Sequence, residues 1–294
     1  MLFATIDIGS NAVRLLLTNV EIVENNAVFE RLTLLRIPIR LGDDAFIRGK
    51  ISDDKVKTLV KTMCGFREIM DGFNVMDSMA CATSALREAR NRDDIVKKIK
   101  KESGIDIKII DGKREAKLIY ANHIEKNFDP SKRYLYIDVG GGSTEITYVG
   151  DGKRKSKSFN VGAIRLKEGL VLKETWDDMN QWLDKNIPKE NVIGIGSGGN
   201  ISSLYLLAKK INNDPLQYEE LKTLCQTING YSFEDRITEL GLKPDRADVI
   251  IPACRIYLSI MKTCGIQTMH APIIGLSDGM VHELYQKHKK KFIE

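Results

Sequence analysis

YIDVGGGSTE, Tyr136 to Glu145, is the stretch that decides the fold, and TIDIGSN, Thr5 to Asn11, is a fainter copy of it. Each copy is an apolar run interrupted by one aspartate and followed by a glycine turn. The aspartates and the glycines of the two copies align at one offset, since 138 minus 7 is 131. A repeat of this kind predicts two related domains.

Both turns carry the residue types of a phosphate-binding loop. Glycines let several backbone N–H groups converge on one anion, and short polar side chains add donors beside them. An ordinary tight turn is the alternative, and for either loop alone the two interpretations are equal. Because the pattern occurs twice, we predict two phosphate loops, made of Gly9, Ser10 and Asn11, and of Gly140, Gly141, Gly142, Ser143 and Thr144.

Carboxylates flank both loops. Asp7 and Asp138 precede them on the strands, and carboxylate oxygen is a natural ligand for Mg²⁺ that bridges phosphate oxygens. Glu145 ends the second loop, where a negative charge beside phosphate needs a metal or an oriented water. The alternative for Glu145 is a solvent-facing strand position, because Ile146 would then point inward. We predict a metal site that draws on Asp7, Asp138 and Glu145.

Length and composition are those of a globular protein with two domains. The chain has 294 residues, 43% hydrophobic and 29% charged, with a net charge of +5. No run approaches membrane-spanning length, and Asp7 interrupts the first apolar stretch where a signal peptide needs continuity. The basic clusters carry few aromatic residues, which argues against nucleic acid binding. We therefore expect a cytoplasmic protein with neither a membrane nor a nucleic acid as partner.

Cysteine and histidine spacing gives no metal motif. The five cysteines form no CxxC pair and the four histidines no HxxxH pair. An odd number of scattered cysteines in a chain of this length predicts reduced, packed thiols rather than disulfides.

The order of the elements predicts an α/β fold. Residues 2–36 are expected to form three strands, followed by a helix from Ser52 to Asp71 and then alternating strands and helices. The polar segment after a predicted helix at Lys113–Phe128 is the best domain boundary. We predict domains at 1–125 and 126–280, with the last helix, within 281–294, returning to complete the first.

Three further sites are open to two interpretations each. Glu115 lies in the first turn of a predicted helix, where it could activate water, although glutamates are common there for helix stability alone. Arg87 could fork onto phosphate oxygens or pair with Glu88 on a helix surface. GIGSGG, Gly194 to Gly199, matches a dinucleotide fingerprint, but the following segment is helical in pattern, so a turn that brings Gly198 to the phosphate is the better account.

Several motifs in order resemble the exopolyphosphatase and guanosine pentaphosphate phosphohydrolase (Ppx/GppA) family, which shares the fold of actin, Hsp70 and sugar kinases. The resemblance covers nearly the whole chain. It is carried by TIDIGSNAVRLLL, IRLGDDAF, ATSALREARN and DGKREAKLIY in the first half, and by YIDVGGGSTEI, FNVGAIRLKE, GIGSGGNISSL and RADVIIPA in the second.

The resemblance implies two actin-like (ribonuclease H-like) domains with an interdomain active-site cleft. It assigns Glu115 as the catalytic glutamate, Glu145 as a second acidic residue of the site, Arg87 as a phosphate contact and Asp138 as the aspartate linked to Mg²⁺. It also implies a homodimer. Asn200 and GLSDGMV, Gly275 to Val281, depart from the usual family pattern.

The expected function is Mg²⁺-dependent release of terminal phosphate from inorganic polyphosphate, with short chains favoured because the sequence resembles the short family members. Guanosine pentaphosphate (pppGpp) is the alternative substrate. An ATP-dependent kinase and a non-catalytic sensor of alarmone or polyphosphate are the rival functions on the same fold.

Overall fold

The computed structural model describes residues 1–24, 26–121, 129, 131–211, 214–272 and 275–289. The chain divides into two compact units, Met1–Asn122 with Gly275–Glu294, and His123–Ile274. We call them the first and the second unit. Within the described residues, no helix has both the length and the apolar character needed to cross a membrane.

The first unit is a five-stranded sheet with helices on both faces. Its elements in chain order are β1 (Leu2–Ile8), β2 (Val13–Val23), β3 (Asn26–Ile37), α1 (Leu41–Arg48), α2 (Asp53–Gly72), β4 (Asp77–Ala82), α3 (Ser84–Glu88), α4 (Arg92–Ser103), β5 (Ile107–Ile109) and α5 (Gly112–Ala121). The strand order is β3-β2-β1-β4-β5. The β1–β2 and β2–β3 pairs are antiparallel hairpins, whereas β4 and β5 run parallel to β1.

The second unit follows the same plan with more helix. Its elements are β6 (Arg133–Val139), β7 (Thr144–Gly150), β8 (Lys153–Phe159), α6 (Ala163–Lys167), α7 (Lys173–Asn186), β9 (Val192–Ser197), α8 (Gly198–Leu207), β10 (Leu216–Gln217), α9 (Tyr218–Gly230), α10 (Phe233–Thr238), α11 (Pro244–Ala247), α12 (Ile250–Cys264) and β11 (Thr268–His270). The strand order is β10-β11-β9-β6-β7-β8.

The two sheets repeat each other at the level of register. Asp7 is paired with position 14 on β2, and Asp138 with position 145 on β7, so the offset of 131 residues holds on both strands. In each sheet the strand on the other side of the aspartate is parallel and leads into a helix. The predicted α/β class and the predicted repeat of two related units are confirmed.

A last helix, α13 (Leu276–His288), belongs to the first unit. Its apolar residues Val281, Leu284 and Tyr285 pack on Phe3 and Leu16 of the sheet. This face of the sheet is opposite the one covered by α2 and α4. β1 is consequently buried on both sides, which explains why five of its seven residues are apolar.

Most predicted strands and helices agree with the structure, although several helices were not predicted. No helix was predicted for α1, α6 or α7, and residues 245–264, whose sequence pattern is that of one helix, lie in the two helices α11 and α12. Residues 122–128 of one predicted helix, the domain boundary at 125/126 and residues 290–294 lie outside the described residues.

The prediction that all cysteines are reduced was wrong for two of the five. Cys225 on α9 and Cys254 on α12 form a disulfide, with their Cα atoms 6.0 Å apart. Pairwise spacing along the chain carried no signal for this bond, because the two cysteines meet only when their helices pack. Cys64, Cys81 and Cys264 are free thiols, and burial raises the pKa of Cys81 to about 11 and that of Cys264 to about 12, so both are inert at neutral pH.

Candidate active site

The first glycine loop joins β1 to β2 and turns its carbonyls toward the start of α1. The loop closes with a hydrogen bond from the Gly9 amide to the Ala12 carbonyl at 3.1 Å. The carbonyl oxygens of Ser10 and Asn11 accept hydrogen bonds from the amides of Gly42 (2.8 Å) and Arg40 (3.0 Å). In a planar trans peptide the N–H of the next residue points the opposite way. The amides that follow these carbonyls therefore point away from α1.

The second loop repeats this arrangement between β6 and β7. Gly140 N donates to Ser143 O at 2.9 Å, which is the bond of the first loop shifted by 131 residues. The carbonyls of Gly140 and Gly141 accept from the amides that open α6, at 2.9 and 2.8 Å, and Arg165 Nε donates to Gly142 O at 2.7 Å. The loop amides thus face away from α6 as a group, an arrangement that binds anions.

A row of polar side chains crosses the second sheet beside this loop. Asp138 and Glu145 stand directly opposite each other on β6 and β7, so their Cβ atoms are about 5 Å apart. Ser158 Oγ of β8 donates to Glu145 Oε1 at 2.8 Å, and Ser197 Oγ of β9 donates to Asp138 Oδ2 at 2.9 Å. Glu145 is only 4% exposed, so the solvent-facing alternative was wrong.

The equivalent position in the first sheet is neutralised within the protein. Asp7 is paired with Arg14 of β2, with Oδ2 and Nη1 2.7 Å apart. Arg14 occupies the position that Glu145 holds in the second sheet. An ion pair makes Asp7 a weaker candidate for a metal ligand than Asp138, whose cross-strand neighbour is another carboxylate.

The residues present fit a magnesium ion in the second unit. Two adjacent carboxylates, one of them buried, repel each other unless they share a cation or a proton. No cluster of three or more His, Cys, Asp or Glu side chains suited to a metal occurs among the described residues. Mg²⁺ commonly takes one or two carboxylates and fills its remaining positions with water and phosphate oxygens. Asp138 and Glu145 are therefore the residues that would hold it.

In the first unit, Arg87 and Glu115 lie next to each other. Glu115 occupies the first turn of α5, which Asp111 caps through a 2.7 Å hydrogen bond from the Arg114 amide. Arg87 Nη1 on α3 is 3.9 Å from Glu115 Oε2 and donates to the Ile110 carbonyl at 2.7 Å. The guanidinium is therefore directed to the start of α5 by the backbone as well as by the carboxylate.

Ser84 connects this pair to the first loop. Its hydroxyl lies 2.9 Å from the Ser10 hydroxyl, and it stands three residues before Arg87 on α3, hence on the same side of the helix. The first unit thus gathers the loop, an arginine and a glutamate around the ends of β1 and β4.

The third glycine turn starts a helix rather than forming an open loop. Gly198 has φ +82, and a Cβ added there would lie 2.8 Å from Asp138 Oδ1, so glycine is required for both conformation and space. Asn200 on α8 donates to the Val139 carbonyl at 2.7 Å and accepts from Arg246 Nη1 at 2.9 Å. The strand that follows α8 is β10, which pairs antiparallel with β11, so this is not a dinucleotide-binding unit.

Five polar residues of these clusters were not among the predicted site residues: Ser84, Ser158, Arg165, Ser197 and Arg246. Each acts through a contact made by the pairing of distant strands or helices, which spacing along the chain does not show. Arg165 and Arg246 had one available signal, since both lie in motifs that carry the family resemblance.

Burial and the nearby charge of Asp138 raise the pKa of the Tyr257 hydroxyl well above its ordinary value. Tyr257 lies on α12, and its hydroxyl donates to the Ser197 carbonyl at 3.3 Å. It therefore stays a neutral donor that anchors the end of β9.

Comparison with known proteins identifies the family. A model described as the Ppx/GppA phosphatase family matches residues 20–288. A bifunctional 3-dehydroquinate synthase/phosphatase of Fusobacterium nucleatum is 28% identical over 291 residues, covering 89% of this chain and 43% of that protein. Exopolyphosphatase 1 of Mycobacterium tuberculosis is 24% identical over 308 residues, covering 96% and 87%.

A solved structure agrees with these sequence matches. The crystal structure of an exopolyphosphatase from Cytophaga hutchinsonii covers 98% of both chains with a TM-score of 0.84 at 23% identity. The chain therefore belongs to the Ppx/GppA phosphatase family and has its two-domain actin-like fold.

Proposed function

We propose that this protein is an Mg²⁺-dependent exopolyphosphatase that releases the terminal phosphate of inorganic polyphosphate. The observation that carries the proposal is that the same glycine loop occurs in both units. In each loop, carbonyls accept hydrogen bonds from the segment that opens α1 or α6, and the amides that follow these carbonyls point the opposite way, where phosphate oxygens could bind. The relatives that bear the name exopolyphosphatase support polyphosphate as the substrate.

The first unit would supply the base. Glu115 would accept a proton from the attacking water, and Arg87, 3.9 Å from it, would neutralise charge on the terminal phosphate. Because Arg87 is also held by the Ile110 carbonyl, its guanidinium needs little reorganisation when phosphate binds. Ser10 and the amides beside it would bind phosphate oxygens.

The second unit would hold the metal and a phosphate of the chain. Gly140 to Thr144 would bind phosphate oxygens, while Ser158 and Ser197 keep the carboxylates of Glu145 and Asp138 in place. Mg²⁺, when bound, offsets the negative charge of the phosphoanhydride and of the leaving group. Asp7 contributes less to this proposal, because Arg14 already balances its charge.

Guanosine pentaphosphate is the second candidate substrate, because the chain belongs to the Ppx/GppA phosphatase family and the sequence resemblance includes guanosine pentaphosphate phosphohydrolases. Both compounds end in the same phosphoanhydride. We also propose a cytoplasmic homodimer without a nucleic acid or membrane partner, which light scattering and cell fractionation would test.

The decisive experiment measures phosphate release with Mg²⁺ from tripolyphosphate, long polyphosphate, guanosine pentaphosphate and ATP in parallel. We expect release from polyphosphate and none after removal of Mg²⁺ by EDTA. Preferential turnover of guanosine pentaphosphate would move the assignment to the second candidate. Transfer from ATP to an acceptor would indicate a kinase, and tight binding with no release from any substrate would indicate a sensor.

A further inference from the structure

Arg165 supports the second phosphate loop from behind. Its Nε donates to the Gly142 carbonyl at 2.7 Å, while the carbonyls of Gly140 and Gly141 are held by backbone amides of α6. The peptide between Gly142 and Ser143 is thus the last of three turned in the same direction. Its carbonyl accepts a hydrogen bond from the Arg165 side chain, whereas the other two carbonyls accept from backbone amides.

The orientation of this peptide fixes where one N–H points. Since the Gly142 carbonyl is directed at Arg165, the Ser143 N–H is directed away from it. Loss of the guanidinium would free this peptide to rotate, because glycine at position 142 offers little resistance. The Ser143 amide would then be present at the phosphate site for only part of the time.

The first loop shows the same contact made in another way. There the equivalent carbonyl, that of Asn11, accepts from the backbone amide of Arg40, whose φ of 57 places that amide at the loop. In the first loop, backbone amides therefore hold the carbonyls of Ser10 and Asn11, and the Ser10 hydroxyl adds a contact with Ser84. In the second loop, substitution of Arg165 removes the hydrogen bond to the Gly142 carbonyl without removing any backbone hydrogen bond.

Arginine adds charge to the contact as well as direction. A hydrogen bond from a cation to a carbonyl is stronger than a neutral one, and it polarises the peptide so that its N–H becomes a better donor. The segment that carries Arg165 can lie this close to the loop because position 162 is glycine, where an added Cβ would overlap the Gly141 carbonyl. Segment 162–165 and the loop therefore pack as one rigid piece.

We propose that Arg165 is a positioning residue that sets the affinity of the second loop for a phosphate group. It does not touch phosphate itself. It keeps the Ser143 N–H aimed at the anion and strengthens that donor. This role rests on the proposed function only in taking the loop of Gly140 to Thr144 as a phosphate site.

Binding should be measured without turnover, using methylenediphosphonate and Mg²⁺ in a calorimeter. We expect Arg165→Met to weaken binding about tenfold or more, the loss that follows removal of a charge-assisted hydrogen bond. Arg165→Lys should recover part of the affinity. Arg133→Met is the matched control, since Arg133 lies at the other end of β6 and donates to the carbonyl of Glu190 at 3.3 Å; it should bind as the wild type does.

Steady-state kinetics separate positioning from a structural role. Arg165→Met should raise the KM for tripolyphosphate by about the same factor as the dissociation constant, with kcat nearly unchanged. Partial unfolding would instead lower kcat with KM unchanged, and this result would contradict the proposal. So would wild-type affinity in a folded Arg165→Met variant, or a wild-type protein that does not bind the probe. If the wild type binds the diphosphonate but hydrolyses no substrate, the proposed function fails while Arg165 keeps its role.

Discussion

At the scale of single residues, one cross-strand neighbour distinguishes the two halves. Both sheets place an aspartate at the end of their first strand, and the residue opposite is Arg14 in one and Glu145 in the other. The first pair is an ion pair, while the second places two carboxyl groups side by side next to the predicted phosphate loop. A cation is therefore expected at the second pair.

Conversion of either carboxylate of that pair to its amide should weaken metal binding. We expect Asp138→Asn and Glu145→Gln to weaken Mn²⁺ binding, followed by electron paramagnetic resonance without substrate, by about tenfold or more, because each removes half of the site's charge. Asp178→Asn, which alters an exposed pair with Lys157 in the same unit, is the control. Unchanged Mn²⁺ binding in both variants would place the metal elsewhere.

Glu115→Gln should abolish most activity and leave the fold intact. A positioned general base contributes about 10²- to 10⁴-fold to rate, so we expect kcat for tripolyphosphate to fall within that range while KM changes little. Glu102→Gln, on the exposed side of α4, should be fully active. Full activity of Glu115→Gln would show that another group activates the water.

The sequence predicted the candidate site residues that lie in the repeated pattern. For the other residues, local spacing did not distinguish a functional role from a structural one. Asp138 and the glycine loops were found because the pattern occurs twice. Glu115 was not separable by spacing from glutamates that only stabilise helix starts, and the family resemblance was needed to name it. Ser158 and Arg165 depend on the pairing of strands and the packing of α6, which no local pattern encodes.

At the scale of elements, α13 connects the end of the chain to the helix that carries Glu115. Gly279 of α13 lies against the Leu118 carbonyl of α5, so closely that an added Cβ would overlap it. Arg114 of α5 also pairs with Glu283 of α13. The position of α5 within the first unit therefore depends on a helix about 160 residues later in the sequence.

Gly279→Ala should destabilise the first unit and displace α5. The backbone of α5 would have to move, and overpacking of this kind costs about 1–3 kcal/mol. Chemical denaturation should show this loss, together with lower activity. Gly65→Ala on α2 is the control, because nothing lies within 4 Å of the added Cβ. Equal stability of the two variants would mean that α13 and α5 are less closely packed than described.

The other end of α13 is tied to β4 by a contact that depends on pH. Asp77 Oδ2 lies 2.7 Å from His288 Nε2 and 2.8 Å from Lys287 Nζ. Burial raises the pKa of the Asp77 carboxyl, but the hydrogen bonds from His288, Lys287 and the Ser78 amide outweigh burial and lower it overall. A lowered pKa stabilises the fold above the ordinary value of an aspartate and ceases to do so as the pH falls through the lowered value.

We therefore expect Asp77→Asn to reduce the free energy of unfolding by about 1 kcal/mol at pH 7. The difference from wild type should shrink as the pH falls from about 5 into the acid range. Urea denaturation at a series of pH values would measure it. A difference that is constant with pH would show that the Asp77 carboxylate is not the source of the stabilisation.

The hairpins and the long helix α2 were predicted, whereas the 14-residue α7 and the short helices α1 and α6 were not. β1 to β3 and α2 have clear periodicity and end at recognisable signals. Helices such as α6, with five residues, are too short to show a period. The break between α11 and α12 lies just before Pro252, which has no N–H for the Asp248 carbonyl and whose ring would clash with that carbonyl in a continuous helix.

At the scale of the whole molecule, a duplicated α/β unit explains both the strand order and the two loops. The repeat predicted this architecture because its two copies differ little in pattern. The sequence did not show how the two copies differ in charge. That difference depends on which residue lies opposite each aspartate on the neighbouring strand, Arg14 for Asp7 and Glu145 for Asp138.

The most direct test of the central claim follows the oxygen of the attacking water. The protein should be incubated with tripolyphosphate and Mg²⁺ in H₂¹⁸O and the products analysed by mass spectrometry. Attack of water on the terminal phosphorus predicts one ¹⁸O in each released phosphate and none in the remaining pyrophosphate. Label in the shortened chain, or no release of phosphate from any phosphoanhydride, would contradict the account.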